Sequence, residues 1–402
     1  MLLRLLQLPH AARACAAAVA PVAGALAALS PPAPPGAASV ESGSTRAARG
    51  GGGGARRGLH LAPPFLVEGY TPAAVTTHRL GRMQGKVAQA LAELKDCRAC
   101  PRDCGVDRSA GQLGVCNVGR AAVVATAAPH YGEEACLQGW AGSGTIFFGG
   151  CSMRCCFCQN WDIAHRPKGF ELTADELAGW MLKLQDEGQC HNINLVTPEH
   201  VVPQVVEALA TAAARGLSLP IVYNTSGYDS LSSLRLLDGL VDIYMPDFKF
   251  WTAATAEKYA RAADYPERAR DAIKEMHKQV GDLVFEGDGL AKRGLLLRHL
   301  VMPGLSGEGR EILAWAAAEL GRDTFVNVMG QFAPGSSPLL ATGEKRSRLG
   351  FVSYEELRRR PPTSEVEELI AFARSKGLWR FEEAPRWEQR AAELEQEGEL
   401  AA

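Results

Sequence analysis

Six short apolar runs, each followed by a polar turn and most by a segment of helical spacing, constrain this chain more than any other feature. The runs are TIFF at Thr145, INLV at Ile193, IVY at Ile221, DIYM at Asp242, LLLRHLV at Leu295 and FVNVM at Phe325. Their shortness and lack of alternation predict strands buried on both faces. In ELTADELAGWMLKLQDEG, Thr173 is placed as an N-cap with Glu176 as its capping-box partner. VVPQVVEALATAAARG ends on Gly216 as a helix stop. Strand, helix, strand implies parallel strands with crossover helices. Six such units predict an α/β fold with a partial barrel rather than a closed eightfold one. An open doubly wound sheet is the alternative, because strand order is not written in the sequence.

The turns after the runs matter as much as the runs. GGCSMRCCFCQN comes after TIFF, TPEH after INLV, NTSGY after IVY, PDFK after DIYM, MPG after LLLRHLV and GQF after FVNVM. In barrels and in open α/β sheets alike, the carboxyl edge of the strands carries the active site. Any one such loop is explained by turn chemistry; six beginning with a cysteine cluster point to a shared site.

The chain has 402 residues and eleven cysteines, eight of them in two clusters. Such clustering in a long α/β-type chain reads as metal ligation in a reducing compartment rather than as disulfides. A formal net charge of -2 gives no sign of a nucleic-acid partner. Residues 1–64 carry Arg4, Arg13, Arg46, Arg49, Arg56 and Arg57 against the single acid Glu41, the bias of a transit peptide for a mitochondrion or plastid. A secretory signal competes, since Ala14 to Leu29 is apolar, and a cytoplasmic location is the further alternative. No later stretch of the sequence is apolar enough to span a membrane. The remaining divisions are a Cys-rich segment at 65–140, the barrel at 141–335, and C-terminal helices with a charged tail at 336–402. One of those helices starts at Thr363, buries Val366, Leu369, Ile370 and Ala373, and stops at Gly377.

Cys151, Cys155 and Cys158 have the spacing C-x3-C-x2-C in a loop opened by Gly149 and Gly150. Three thiolates on so short a loop reach three corners of a cubane, whereas structural zinc takes four ligands. Zinc would need Cys156, His165 or a distant group to complete it. Cys156 adjoins Cys155 and reads as a small apolar filler. Cys97, Cys100, Cys104 and Cys116, in CRACPRDCGVDRSAGQLGVC, form a four-thiol set suited to zinc or to a second iron–sulfur cluster.

CSMRCCFCQN, with an aromatic residue before its last cysteine, resembles the signature of the radical S-adenosylmethionine (SAM) superfamily. From Leu94 to Phe332 the chain resembles the group of proteins similar to pyruvate formate-lyase activating enzymes, which act on glycyl-radical enzymes. The resemblance implies a partial (βα)6 TIM-like barrel of the radical SAM type. It implies a [4Fe–4S] cluster on Cys151, Cys155 and Cys158, with an open iron for SAM. One electron, from a donor such as ferredoxin or flavodoxin, would cleave SAM to a 5′-deoxyadenosyl radical that abstracts hydrogen from a protein glycine or a small molecule. Glu199 in Thr197-Pro198-Glu199-His200 stands where activating enzymes have a G-G-E segment, without its glycines. Asn224 and Ser226 stand where the family contacts SAM, Asp247 and Lys249 match its D-x-K segment, and Arg298 matches its R-[HY]-x-V-x-P-G run. Each has a plainer reading: a solvated helix start for Glu199, turn residues for Asn224 and Ser226, a buried ion pair for Asp247 and Lys249. Arg298 is expected to clamp a ligand carboxylate. Two other functions stay open: a radical SAM enzyme acting on a small metabolite or another peptide, and an iron–sulfur electron carrier without SAM chemistry, favoured by the altered Thr197-Pro198.

Overall fold

The computed structural model describes residues 63–341, 344–347 and 350–382. The transit-peptide segment, save its last two residues, and the charged tail beyond Glu382 lie outside these.

All six apolar runs form strands. They are β2 (Ser143–Phe148), β4 (Ile193–Val196), β5 (Ile221–Thr225), β6 (Ile243–Pro246), β8 (Ala291–Leu300) and β9 (Phe325–Met329), preceded by β1 (Ala122–His130) and interleaved with β3 (Phe170–Leu172) and β7 (Val284–Phe285). Every residue of β4, β5 and β6 is buried, which is why these strands read as unbroken apolar runs. The order across the main sheet is β9-β8-β6-β5-β4-β2-β1-β3, with parallel pairing from β2 through β9. The parallel strands are therefore laid down in sequence order without reversal. A doubly wound sheet requires a reversal, so the structure selects the unclosed barrel. β1 pairs antiparallel with β2, and β3 antiparallel with β1. β10 (Glu344–Ser347) and β11 (Gly350–Ser353) form a hairpin, and β12 (Arg380–Phe381) adds in parallel to β9.

The helices obey their local signals. Thr173 caps the helix Ala174–Asp186 with the full capping box, Glu176 accepting from the Thr173 amide at 2.8 Å. The helix Val202–Ala214 ends before Gly216, whose φ of 103° closes it. The helix Thr363–Ser375 lays Leu369 and Ala373 on a core with Val301, Leu313, Val326 and Val328. At the other end of the chain, buried Asp242 ties the N-terminal segment to the barrel. It accepts from the Tyr70 hydroxyl at 2.6 Å, the Ala73 amide at 2.7 Å and the Ile221 amide at 2.6 Å. Among the described residues, no helix is long and apolar enough to cross a membrane.

Candidate active site

A cavity of about 430 Å³ opens at the carboxyl edge of the strands. Cys151, Cys155 and Cys158 line it from the loop after β2, with Asn224 and Ser226 from the end of β5, Asp247 and Lys249 from the end of β6, and Arg298 from β8. Eight of the sequence-derived candidates thus share one cavity. Cys156 does not border it; its thiol lies in the core toward Tyr259 and Tyr354. The His165 ring is bonded to the Cys155 carbonyl at 3.1 Å. No described cysteine forms a disulfide.

Burial pushes the Cys151 thiol up to about 12, with the Glu199 charge adding to it. Burial also raises Cys155 and Cys158, while Lys249 pulls both back. Left to themselves these thiols stay protonated. Only a cationic metal core would offset three thiolate charges in so dry a loop. Among the described residues no group of three or more His, Cys, Asp or Glu is gathered closely enough to hold a single ion. A cubane bonds each thiolate to a separate iron, and neutral thiols have no bond to draw them together.

Glu199 is fully buried, which excludes the solvated helix-start reading. Its Oε1 accepts from the Ser226 amide at 3.3 Å and from the Ser226 hydroxyl, while Oε2 is buried without a partner. Burial raises its carboxyl, and the Ser226 bonds work against that rise. Close to it, Thr197 has φ 58° and lines the cavity. The glycines are absent from this turn, but its backbone still takes the left-handed turn that glycine favours. For a β-branched residue that turn is strained by about 1–3 kcal/mol.

Arg298 does not wait for a ligand. Its Nε donates to Asp247 at 2.7 Å, Nη2 to Asn224 Oδ1 at 2.7 Å, and Nη1 to Glu133 and Glu134 at 3.4 and 3.3 Å. The expected ligand clamp is thus an internal hub, because its fork is already filled by side chains of the barrel wall. Asp247 also pairs with Lys249. Burial alone would raise the Asp247 carboxyl, but Arg298 and Lys249 hold it below its ordinary value. Asp247 and Lys249 form the ion pair and also line the cavity.

Sequence reasoning missed Glu133 and Glu134, which enter from the hairpin between β1 and β2. Burial and the Glu134 charge raise Glu133, whereas Arg298 outweighs burial and holds Glu134 low. Of the two carboxyls, Glu133 is therefore the one that burial and its neighbour's charge favour for a proton, and Glu134 the one that Arg298 favours as a carboxylate. Asn194 donates to Glu133 at 2.7 Å and Asn327 to Glu134 at 3.1 Å. A lone asparagine inside each of the runs INLV and FVNVM was the available signal.

The second cysteine group lies beside this site. Cys97, Cys100 and Cys116 are buried and Cys104 is partly so. Burial raises the Cys97 and Cys100 thiols, and Cys116 and Cys104 raise both further, so the four share one neighbourhood.

An unclosed parallel barrel whose cavity is lined by two buried thiols and one partly buried thiol is an architecture suited to a cofactor-dependent α/β enzyme. Residues 145–315 match the model of the Radical SAM superfamily. It is 28% identical to the uncharacterized protein MJ0674 of Methanocaldococcus jannaschii over 308 residues, 73% of this chain and 78% of that protein. The structure is similar to Streptococcus suis SuiB bound to S-adenosylmethionine, with 10% identity and a TM-score of 0.36. That match covers 56% of this chain and less than half, 44%, of the other. It is also similar to methylornithine synthase (PylB), with 13% identity, a TM-score of 0.36, and coverage of 78% and 83%.

Proposed function

We propose that this chain is a radical SAM enzyme of the kind similar to glycyl-radical enzyme activating enzymes, with Cys151, Cys155 and Cys158 holding a [4Fe–4S] cluster. The observation that carries this reading is the cavity shared by those three thiols and by residues from the ends of β5 and β6, which the adjacent Cys156 does not enter. When bound, the cluster and SAM supply reductive cleavage of a sulfonium and a radical that takes hydrogen from a substrate. The chain's own residues prepare the place. Glu199 lies behind the cavity wall formed by Thr197 and Ser226, and its buried, unpartnered Oε2 is an acceptor suited to the ammonium of SAM. Arg298 occupies Oδ1 of Asn224, so Asn224 offers a ligand its NH2 group. Asp247 fixes Lys249, whose charge acts on Cys155 and Cys158. Thr197 keeps the backbone beside Glu199 turned toward the cavity. The electron comes from a donor of ferredoxin or flavodoxin type, and the substrate is a protein glycine or a small molecule.

The test is anaerobic reconstitution with iron and sulfide, followed by SAM and dithionite. Formation of 5′-deoxyadenosine is the expected result. An intact cluster that cleaves no SAM would leave an electron carrier and refute the enzymatic reading.

A further inference from the structure

Arg108 is a buried cation with an unusual set of partners. It is 1% exposed, and among the described residues no carboxylate lies within salt-bridge distance of it. Its Nη1 donates to the His200 carbonyl at 2.7 Å and its Nη2 to the Cys116 sulfur at 3.3 Å, while Nε is buried without a partner. The Glu93 carboxyl, raised by burial and pulled back by Arg108, is near it but makes no salt bridge with it, and a buried guanidinium without a directly bonded anion costs several kcal/mol. A neutral thiol does not relieve it. A [4Fe–4S] core of charge about +2 bound by four thiolates carries a net charge of about -2, and it takes one iron per thiolate, as four thiols not gathered closely enough for a single ion require. Such a centre would put an anion in direct contact with Arg108 through Cys116, which Glu93 does not supply.

The surrounding backbone is shaped for it. The Cys97 amide donates to the Val106 carbonyl at 3.0 Å, the Gly105 amide to the Cys97 carbonyl at 3.0 Å, and the Asp103 amide to the Cys100 carbonyl at 3.1 Å. These bonds fold the C-x2-C-x3-C stretch into a tight knuckle, and Cys116 returns to it from the far side.

The knuckle also grips the barrel loop. Arg102 donates to the Ser152 carbonyl at 2.8 Å, and Arg154 donates back to the Val115 carbonyl. A Cβ on Gly150 would lie 2.6 Å from the Cys116 carbonyl oxygen, so only glycine lets the two loops meet. His200, whose carbonyl takes Arg108, bonds the Gly149 carbonyl at 3.0 Å through its ring.

We propose that Cys97, Cys100, Cys104 and Cys116 hold a second, closed [4Fe–4S] centre, that Arg108 balances part of its charge, and that it braces the loop carrying Cys151, Cys155 and Cys158. The bracing half rests on the function proposed above; the site itself does not. Three measurements test it. The Cys151→Ala/Cys155→Ala/Cys158→Ala variant, which keeps the knuckle, is expected to retain about four irons per chain. Iron and zinc are both counted, and a variant that holds zinc or no metal overturns the cluster even where the wild type cleaves SAM. Arg108→Gln is expected to release this metal to a chelator about tenfold faster than the wild type, with Arg108→Lys between them. Equal release rates for all three overturn the role of Arg108. In Cys97→Ser/Cys100→Ser, reconstituted barrel iron is expected to fall several-fold; full retention overturns the brace, and because Arg108→Gln disturbs the same centre without removing a ligand, a parallel partial loss there separates bracing from misfolding. If the triple variant keeps its metal and the wild type cleaves no SAM, the function fails and the second centre stands.

Discussion

Replacing Arg298 with Met tests the internal hub most severely. The wild-type guanidinium holds Asp247 at 2.7 Å and Glu134 at 3.3 Å, and only 12% of its side chain is exposed. Each such pair is worth roughly 4 kcal/mol at 4 Å and an effective dielectric of 20. Part of that is offset by the desolvation of arginine itself, and breaking a buried pair from one side costs about 3–5 kcal/mol. Met keeps much of the length and removes the charge, leaving Asp247 to Lys249 and Glu134 to Asn327. The cost depends on pH. In the wild type, Asp247 and Glu134 are held low, so their stabilising contribution is present above their unfolded values of 3.8 and 4.5 and is lost as pH falls through the folded values. In the variant the same buried carboxyls rise and take up protons in the folded state. The gap between the two proteins is therefore widest near pH 8 and narrows toward pH 5. Urea unfolding under anaerobic conditions, monitored by circular dichroism, measures it. A loss under about 1 kcal/mol at pH 8, or one that does not shrink at pH 5, refutes the hub.

Three further outcomes are expected. Thr197→Gly relieves a left-handed β-branched residue and gains about 1 kcal/mol after the added freedom of the unfolded chain is subtracted, read as a rise in the urea midpoint; a drop would show that Thr197 makes a compensating contact. Asp229, which accepts from Tyr223 at 2.8 Å and Thr225 at 2.6 Å, is raised from 3.8 to about 7 by burial and then by Glu199. Its folded carboxyl keeps a proton that the unfolded chain has released, so stability falls as pH rises from about 4 to 7, and Asp229→Asn should flatten that slope; an unchanged slope places the proton elsewhere. Glu199→Gln keeps an acceptor for Ser226 but loses the charge, so the SAM dissociation constant measured by calorimetry should rise about tenfold or more, and an unchanged constant removes Glu199 from the SAM site.

Much of the fold was legible because fully buried parallel strands announce themselves as short apolar runs. All six runs became strands, and Thr173, Gly216 and Thr363 marked helix ends where local chemistry decides. β1 was missed: AVVATAAPH is alanine-rich, and its outer half is exposed beyond the short β3, so it shows no clear period. The candidate site was legible where function fixes a loop, as for Cys151, Cys155 and Cys158. It was illegible where long-range packing fixes a partner. Glu133 and Glu134 look like a solvated acidic turn until Arg298, more than 160 positions away, meets them. The plainer reading of Glu199, a solvated helix start, fails for the same reason, since the Ser226 that covers it comes from the end of another strand.

Cys155 and Cys156 are neighbours in sequence and both buried, yet only Cys155 borders the cavity. Comparing Cys155→Ala with Cys156→Ala, by iron content and by 5′-deoxyadenosine formed from SAM with dithionite, tests the three-thiol site most directly. The expected result is that Cys155→Ala forms no 5′-deoxyadenosine and Cys156→Ala forms most of the wild-type amount. Equal loss in both, or retention in Cys155→Ala, would contradict it.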